Sequence, residues 1–190
     1  MIPFTSSGAT ARGIDYSPRM VQMGREFGIE MHQGGLEVLD GVHDIVIMNH
    51  VLEHMLDPIE SLRRASEHLS ESGLIYIGVP NIRNFNMGQL QNAHTYYFTP
   101  KSLNYVTSMA KLSRVESGES EKIHMFGIFR KSRGETDSID LSDHYKEMLR
   151  VIRFRRIREC IAGLLRTMHL YKPVKAMQKI MIGMQQADFT

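Results

Sequence analysis

The feature that most constrains this chain is the stretch from Asp44 to Pro80, DIVIMNHVLEHMLDPIESLRRASEHLSESGLIYIGVP. It opens with one short apolar run, Ile45-Val46-Ile47-Met48, and closes with another, Leu74-Ile75-Tyr76-Ile77-Gly78-Val79. Neither alternates polar with apolar residues, so each is expected to be a strand buried on both faces, as in a parallel sheet. Between them lies a helix with its own start signal: Asp57 as cap, Pro58 at the first helical position, and Glu60 where a capping box places a carboxylate. Ile59, Leu62, Ala65 and Leu69 recur at helical spacing, and Gly73 is expected to end the helix. The result is a strand–helix–strand unit with a right-handed crossover.

At 190 residues the chain has room for one domain with an appendage. An apolar share of 42% and a charged share of 23% are ordinary for a globular protein, and a net charge of +2 is too small to imply nucleic-acid binding. Cys160 is the single cysteine, so no intramolecular disulfide can form, and a reducing, cytoplasmic setting is expected. No apolar run reaches the ~18 residues of a membrane span, and Met1 to Thr10 does not read as a signal peptide.

Taken in order, Ala11 to Asp15 reads as a short strand ending in an acid. Ser17-Pro18 then opens a helix carrying Met20, Val21, Met23 and Phe27 and ending at Gly28. Ile29 to His32 is a further strand and Gln33-Gly34-Gly35 a turn. After the central unit comes a polar loop, Asn81 to Phe98, and then a third cap-plus-proline start at Thr99-Pro100, with Leu103, Val106 and Met109 on one face. Ser113 to Ser120 and Ile123 to Arg130 read as an antiparallel pair of strands. The expected division is a domain over residues 1–132 and a helical appendage over 133–190. In the appendage Ser142 is expected to cap a long helix with an apolar stripe of Ile157, Ile161, Leu164, Leu165 and Met168, with Pro173 breaking it before a second helix, Val174 to Gln185.

In open α/β sheets ligands bind beyond the carboxyl ends of the strands. Asp15 ends one strand, where a carboxylate can accept from both hydroxyls of a ribose or cap the next helix, a role Ser17 also fits. Asn49 and His50 end a second strand and Pro80-Asn81 a third, which opens toward an aromatic loop holding His94, Tyr96 and Tyr97.

Four segments in this order carry a family resemblance: Gly13-Ile14-Asp15-Tyr16-Ser17-Pro18, HDIVIMNHVLEHMLDP, ESGLIYIGVPN, and the run from His94 to Leu103, HTYYFTPKSL. Over about residues 8 to 130 the chain resembles class I S-adenosylmethionine-dependent methyltransferases, closest to small-molecule enzymes with a VLEH-x-x-DP segment. The resemblance implies an α/β doubly wound, mostly parallel, Rossmann-like sheet and S-adenosylmethionine as cofactor. It places Asp15 on the cofactor ribose, Tyr16 beside the adenine, Gly35 and Leu36 at a backbone contact to adenine, and Asn49 and His50 at the methionine end. It implies transfer of a methyl group to a small molecule or a glycan or lipid precursor.

One departure is large. The family's first strand and glycine-rich loop should precede Asp15 by about twenty residues, yet only Met1 to Ile14 do so here, without a G-x-G-x-G pattern. The expectation is therefore a fragment, a chain completed by a partner, or a non-catalytic relative, with poor binding of the cofactor by the chain alone. The rival function, from a different class, is a non-catalytic methyltransferase-like subunit acting through a protein partner. A nicotinamide-dependent oxidoreductase is the weaker alternative, since it leaves the VLEH segment unexplained and needs a G-x-G-x-x-G that is not seen.

His94 has two readings, a catalytic residue that takes the substrate's proton or a loop histidine bonded to backbone. His50, Glu53 and His54 share a face if their segment is a helical turn, a spacing that suits a divalent metal. The reading adopted is that they fix the turn, so no metal is expected. The arginine-rich C-terminal helix is expected to pack against the domain or a second copy, with an anionic membrane surface as the alternative and no nucleic acid. The partners expected are thus a small-molecule substrate and a copy or partner chain covering the incomplete sheet.

Overall fold

A computed structural model describes residues 2–84, 92–120, 124–134, 138–169 and 172. The chain separates into two compact units, one of residues 1–84 and 92–139, the other holding the stretch from Asp140 onward. In the first, helix α1 (Ile2–Ser6) leads to strand β1 (Arg12–Asp15), helix α2 (Pro18–Glu26) and strand β2 (Glu30–Gln33). A 3-10 turn (Leu36–Val38), strand β3 (His43–Asn49), a second 3-10 turn (Leu52–His54), helix α3 (Pro58–Glu67) and strand β4 (Leu69–Pro80) follow. Helix α4 (Pro100–Met109) and the strands β5 (Leu112–Ser120) and β6 (His124–Lys131) complete the unit.

The fold is a mixed α/β one built on two parallel units, β1-α2-β2 and β3-α3-β4. The second is extended by an antiparallel pair, giving a four-stranded order β3-β4-β6-β5. β1 and β2 form a separate two-stranded sheet. Each of the three cap-plus-proline starts opens a helix. Ser17 accepts from the Met20 N–H at 3.5 Å, Asp57 from Glu60 N–H at 2.9 Å, and Thr99 from Ser102 N–H at 3.1 Å. At Thr99 the Ser102 hydroxyl returns the bond to the cap's own N–H, closing a reciprocal capping box.

The main core lies where α3 and α4 cover the sheet: Leu62 and Ala65 meet Ile75, Ile77 and Val79 of β4, Met125 and Phe129 of β6, and Leu103 of α4. A small second core, Val21, Ile29 and Met31, holds the β1–β2 unit.

Two local expectations are corrected, the burial of β3 and the end of α3. β3 is not buried on both faces, since Ile45 is 50% and Ile47 44% exposed. It is the edge of its sheet, and among the described residues no ladder joins it to β1. Helix α3 stops at Glu67 rather than at Gly73, because His68 turns the chain and Leu69 already pairs with His43 in the strand. Gly73 instead lies inside β4, where a side chain would press on the carbonyls of Ser70 and His43 beside the ladder's register shift. On α2 only Val21 of the apolar set is buried, while Met20, Met23 and Phe27 are exposed.

In the second unit helix α5 (His144–Thr167) starts after Asp143, not at Ser142, whose N–H and hydroxyl both bond the Asp140 carboxylate. Its Ile157, Ile161, Leu164 and Met168 are exposed. Pro173 and the expected second helix lie outside the described residues. No helix among the described residues is long and apolar enough to cross a membrane.

Candidate functional site

The residues singled out by sequence gather in two places, both at carboxyl ends of parallel strands. The first is the end of the β1–β2 pair. Asp15 closes β1, its carbonyl accepts the Gly34 N–H at 3.1 Å, and its Oδ1 accepts the Ser17 N–H at 2.7 Å. Asp15 therefore does shape the turn into α2. A carboxylate offers about four lone-pair sites, so one such bond leaves capacity for hydroxyl donors. Tyr16, next along, is 68% exposed, and its ring hydroxyl lies so close over Gly35 that a side chain at that position would collide with it. The Gly35 N–H bonds Glu37 Oε1 at 2.7 Å. That bond, helped by the Glu37 N–H and the Tyr16 hydroxyl, holds the Glu37 carboxyl below the usual carboxylate range. Leu36 turns inward and packs against the main core. Asp15 and Tyr16 thus lie beside the Gly34–Leu36 turn, with Gly35 buried beneath the Tyr16 hydroxyl and Leu36 half-buried.

The second place is the end of β3 and β4. The His50 N–H bonds the Gly78 carbonyl at 2.9 Å, ending the ladder. Gly78 has no side chain to displace the Asn49 amide, which lies directly against it. His50 itself stands at φ 54, a left-handed conformation uncommon for residues other than glycine and concentrated at functional turns. This aims its Nδ1 at Glu53 Oε1, 3.3 Å away. The 3-10 turn buries Leu52 fully and leaves Glu53 only 1% exposed.

The loop carrying His94 is tied to this turn. The Glu53 carbonyl accepts the N–H groups of Thr95 and Tyr96 at 2.9 and 3.1 Å. His54 Nδ1 donates to the Ala93 carbonyl at 2.8 Å, and the Tyr96 hydroxyl donates to Leu56 O at 3.1 Å. The rings of His54 and His94 meet edge-on at 4.8 Å, and those of His50 and His124 at 4.6 Å. Among the described residues, two buried atoms here have no hydrogen-bond partner: Glu53 Oε2 and His94 Nδ1. Burial, chiefly, lowers the His94 pKa below its ordinary value, opposed by the Glu53 carboxyl and reinforced by His54 and His50.

Sequence reasoning found His50, Glu53, His54 and His94 but not His124, which heads β6 and reaches the site through its pairing with Pro80. No local motif marks it. The two places belong to different sheets. A separate cavity of about 310 Å³, lined by Glu71, Leu74, Arg130 and Lys131 among others, lies at the opposite end of β4 from Asn49 and Gly78.

A family model described as a methyltransferase domain matches residues 1–112. No curated protein matches the chain significantly. Among solved structures, the chain resembles the CcbJ methyltransferase of Streptomyces caelestis at 16% identity and a TM-score of 0.58, over 69% of this chain and 78% of that one. It also resembles the 1,6-didemethyltoxoflavin-N1-methyltransferase of Burkholderia thailandensis, solved with its substrate and S-adenosylhomocysteine, at 19% identity and a TM-score of 0.57, over 69% of this chain and 65% of that one. A possible histamine N-methyltransferase of Thermotoga maritima aligns at 18% identity and a TM-score of 0.55, over 64% and 73% of the two chains. At such identities these likenesses speak for the fold.

Proposed function

The chain belongs to the methyltransferase-domain family, and from that premise we propose that it transfers a methyl group from S-adenosylmethionine to a small molecule or a glycan or lipid precursor. The observation that carries this reading is the grouping of Asp15 and Tyr16 with the turn of Gly35 and Leu36 at the end of the β1–β2 pair. Its donor set fits the adenosine part of the cofactor. Asp15 has acceptor capacity for the two ribose hydroxyls, the exposed Tyr16 ring offers a flat apolar face to adenine, and Gly35–Leu36 supplies backbone beside it. Asn49 and His50 would line the methionine end. When bound, the cofactor supplies a sulfonium whose methyl group is open to in-line displacement.

What this chain adds to that chemistry is position and proton handling. Burial lowers the His94 pKa, which favours the neutral imidazole. It is suited to receive the proton of a hydroxyl or amine acceptor as the nucleophile attacks. The bonds from Thr95 and Tyr96 to the Glu53 carbonyl, and from His54 to Ala93, keep the His94 loop over the turn at the end of β3.

Calorimetry with S-adenosylhomocysteine tests the reading. Asp15→Asn keeps an oxygen for the Ser17 N–H but loses the charged acceptor, so affinity should fall by about 1.5–3 kcal/mol, or ~10–100-fold. Equal affinity in the variant would refute the assignment. Because no ladder joins β1 to β3 among the described residues, the affinity of the wild-type chain is expected to be weaker than micromolar.

A second reading is favoured by the open face of β3, where Ile45 and Ile47 stand in solvent. It makes the chain a non-catalytic methyltransferase-like subunit that covers this face with a partner. Coelution with a partner, together with indifference to the cofactor, would select it.

A further inference from the structure

Helix α5 leaves one side uncovered. Phe154, Ile157, Ile161, Leu164 and Met168 recur at spacings of three and four, so they form one stripe, about 20 Å long, down a single side of the helix. Each of the five is more than half exposed. A second apolar set, Val151, Ile152 and Ala162, lies on another side and is half-buried, so the stripe is not what holds the helix in place. The charges are just as one-sided. Six arginines and Lys146 stand on α5 against Glu147 and Glu159, in a chain whose net charge is only +2. Arg153 and Arg158 border the stripe on its two sides, and Arg150 continues its line one turn earlier. Among the described residues none of these three forms an ion pair. Arg158 instead lies over the Phe154 ring, 6.0 Å from its centre.

We propose that α5 lies along the surface of an anionic lipid bilayer, with the stripe from Phe154 to Met168 at the acyl boundary and the bordering arginines among the headgroups. A helix of this kind binds by apolar area and charge together. Long arginine stems stay with the apolar layer while their guanidinium groups reach the phosphates. Since no described helix is long and apolar enough to cross a membrane, the contact is along the surface. The charges decide against the other occupants. A second copy laid parallel on the stripe would bring Arg153 of one helix beside Arg158 of the other, the flanking positions of such a pair, where like charges repel. A nucleic acid would match the arginines but leave the apolar stripe, with Phe154 its one aromatic ring, without a partner. An anionic bilayer answers both. It is the exposure of the stripe, which sequence alone could not show, that favours the bilayer over packing. The proposal stands apart from methyl transfer and is tested without cofactor.

The test uses the full chain carrying Phe154→Trp, which supplies the only tryptophan because the sequence has none. On vesicles of equal parts phosphatidylcholine and phosphatidylserine its emission should shift to the blue and be quenched by lipids brominated in the acyl chain. Pure phosphatidylcholine should act far more weakly. Each arginine near an anionic surface is worth roughly fivefold in partition, so Arg150→Gln, Arg153→Gln and Arg158→Gln together should lower binding by about 100-fold. The same change at Arg19, Lys101 and Arg133, three exposed cations of the first unit, should leave it unaltered. Ile161→Asp should abolish the shift; circular dichroism checks folding, and if that variant unfolds, the arginine variant decides. Four results would overturn the proposal: no response to anionic vesicles, an equal response to neutral ones, a response to RNA alone, or a blue emission without lipid that grows with protein concentration, which would mean that a second copy covers the stripe.

Discussion

Ile47 and Ile77 are the same residue on neighbouring strands of one sheet, yet the structure gives them opposite surroundings. Ile77 is fully buried between β3 and β6 under the helices, while Ile47 is 44% exposed on the open face of the edge strand. Truncating Ile77 to alanine removes atoms from a closed, packed site, where such changes cost about 2–5 kcal/mol. At Ile47 nearly half of the side chain already meets water, so only part of the ~1.5–3 kcal/mol for burying an isoleucine is at stake, and the loss should be about 1 kcal/mol. Urea denaturation separates the two. The chain has no tryptophan, so far-ultraviolet circular dichroism supplies the signal, and a shift in midpoint at constant slope reports stability. Ile47→Lys should be tolerated and Ile77→Lys should not. Equal losses for the two alanine variants would refute the open face and mean that another chain or segment covers β3 in solution.

Other outcomes follow from single contacts. Gly35→Ala should displace the Tyr16 ring, which is largely in solvent; thermal stability should change by no more than about 1 kcal/mol, while calorimetry shows S-adenosylhomocysteine binding fall severalfold. Asp57→Ala removes the cap accepting Glu60 N–H and should cost about 1 kcal/mol of unfolding free energy. The His94 pKa lies below its ordinary 6.5, so between those two values the unfolded chain binds more protons. Stability should therefore fall as pH drops through that window and level off beneath the folded value. His94→Asn should flatten this limb in pH-dependent melting curves.

Helix starts were legible because their determinants are local. In each case a Ser, Asp or Thr before a proline both caps the helix and presets its first φ angle, and all three such pairs open helices in the structure. The pairing of β3 with β4 was legible for a similar reason, since two apolar runs flanking one helix have few other arrangements. Burial of β3 was not. An apolar run specifies a strand, but which faces become covered depends on what the rest of the chain brings there, and Ile45 and Ile47 are left in the open. The misplaced helix end at Gly73 has a related origin. Leu69 fits the helical period of α3, yet it is fully enclosed as the first residue of β4 beside His43.

The candidate site divides along the same line. Asp15, Tyr16, Gly35 and Leu36 lie close in sequence around one short parallel pair, so a motif suffices to find them together. The chemistry around Glu53 has only half of its parts in the HVLEH segment. His94 arrives on a loop tied down by backbone bonds to Glu53, and His124 arrives because β6 runs antiparallel to β4 and sets it opposite Pro80. Sequence spacing made Glu53 and His54 look like residues that merely secure a turn, and they do hold that loop. What spacing could not convey is that the turn is secured by Glu53's backbone and by one nitrogen of His54, leaving a buried carboxyl oxygen and a buried imidazole nitrogen without a hydrogen-bond partner among the described residues. Those two atoms, rather than the motif that contains two of the residues, are the physical ground for giving the turn a chemical role.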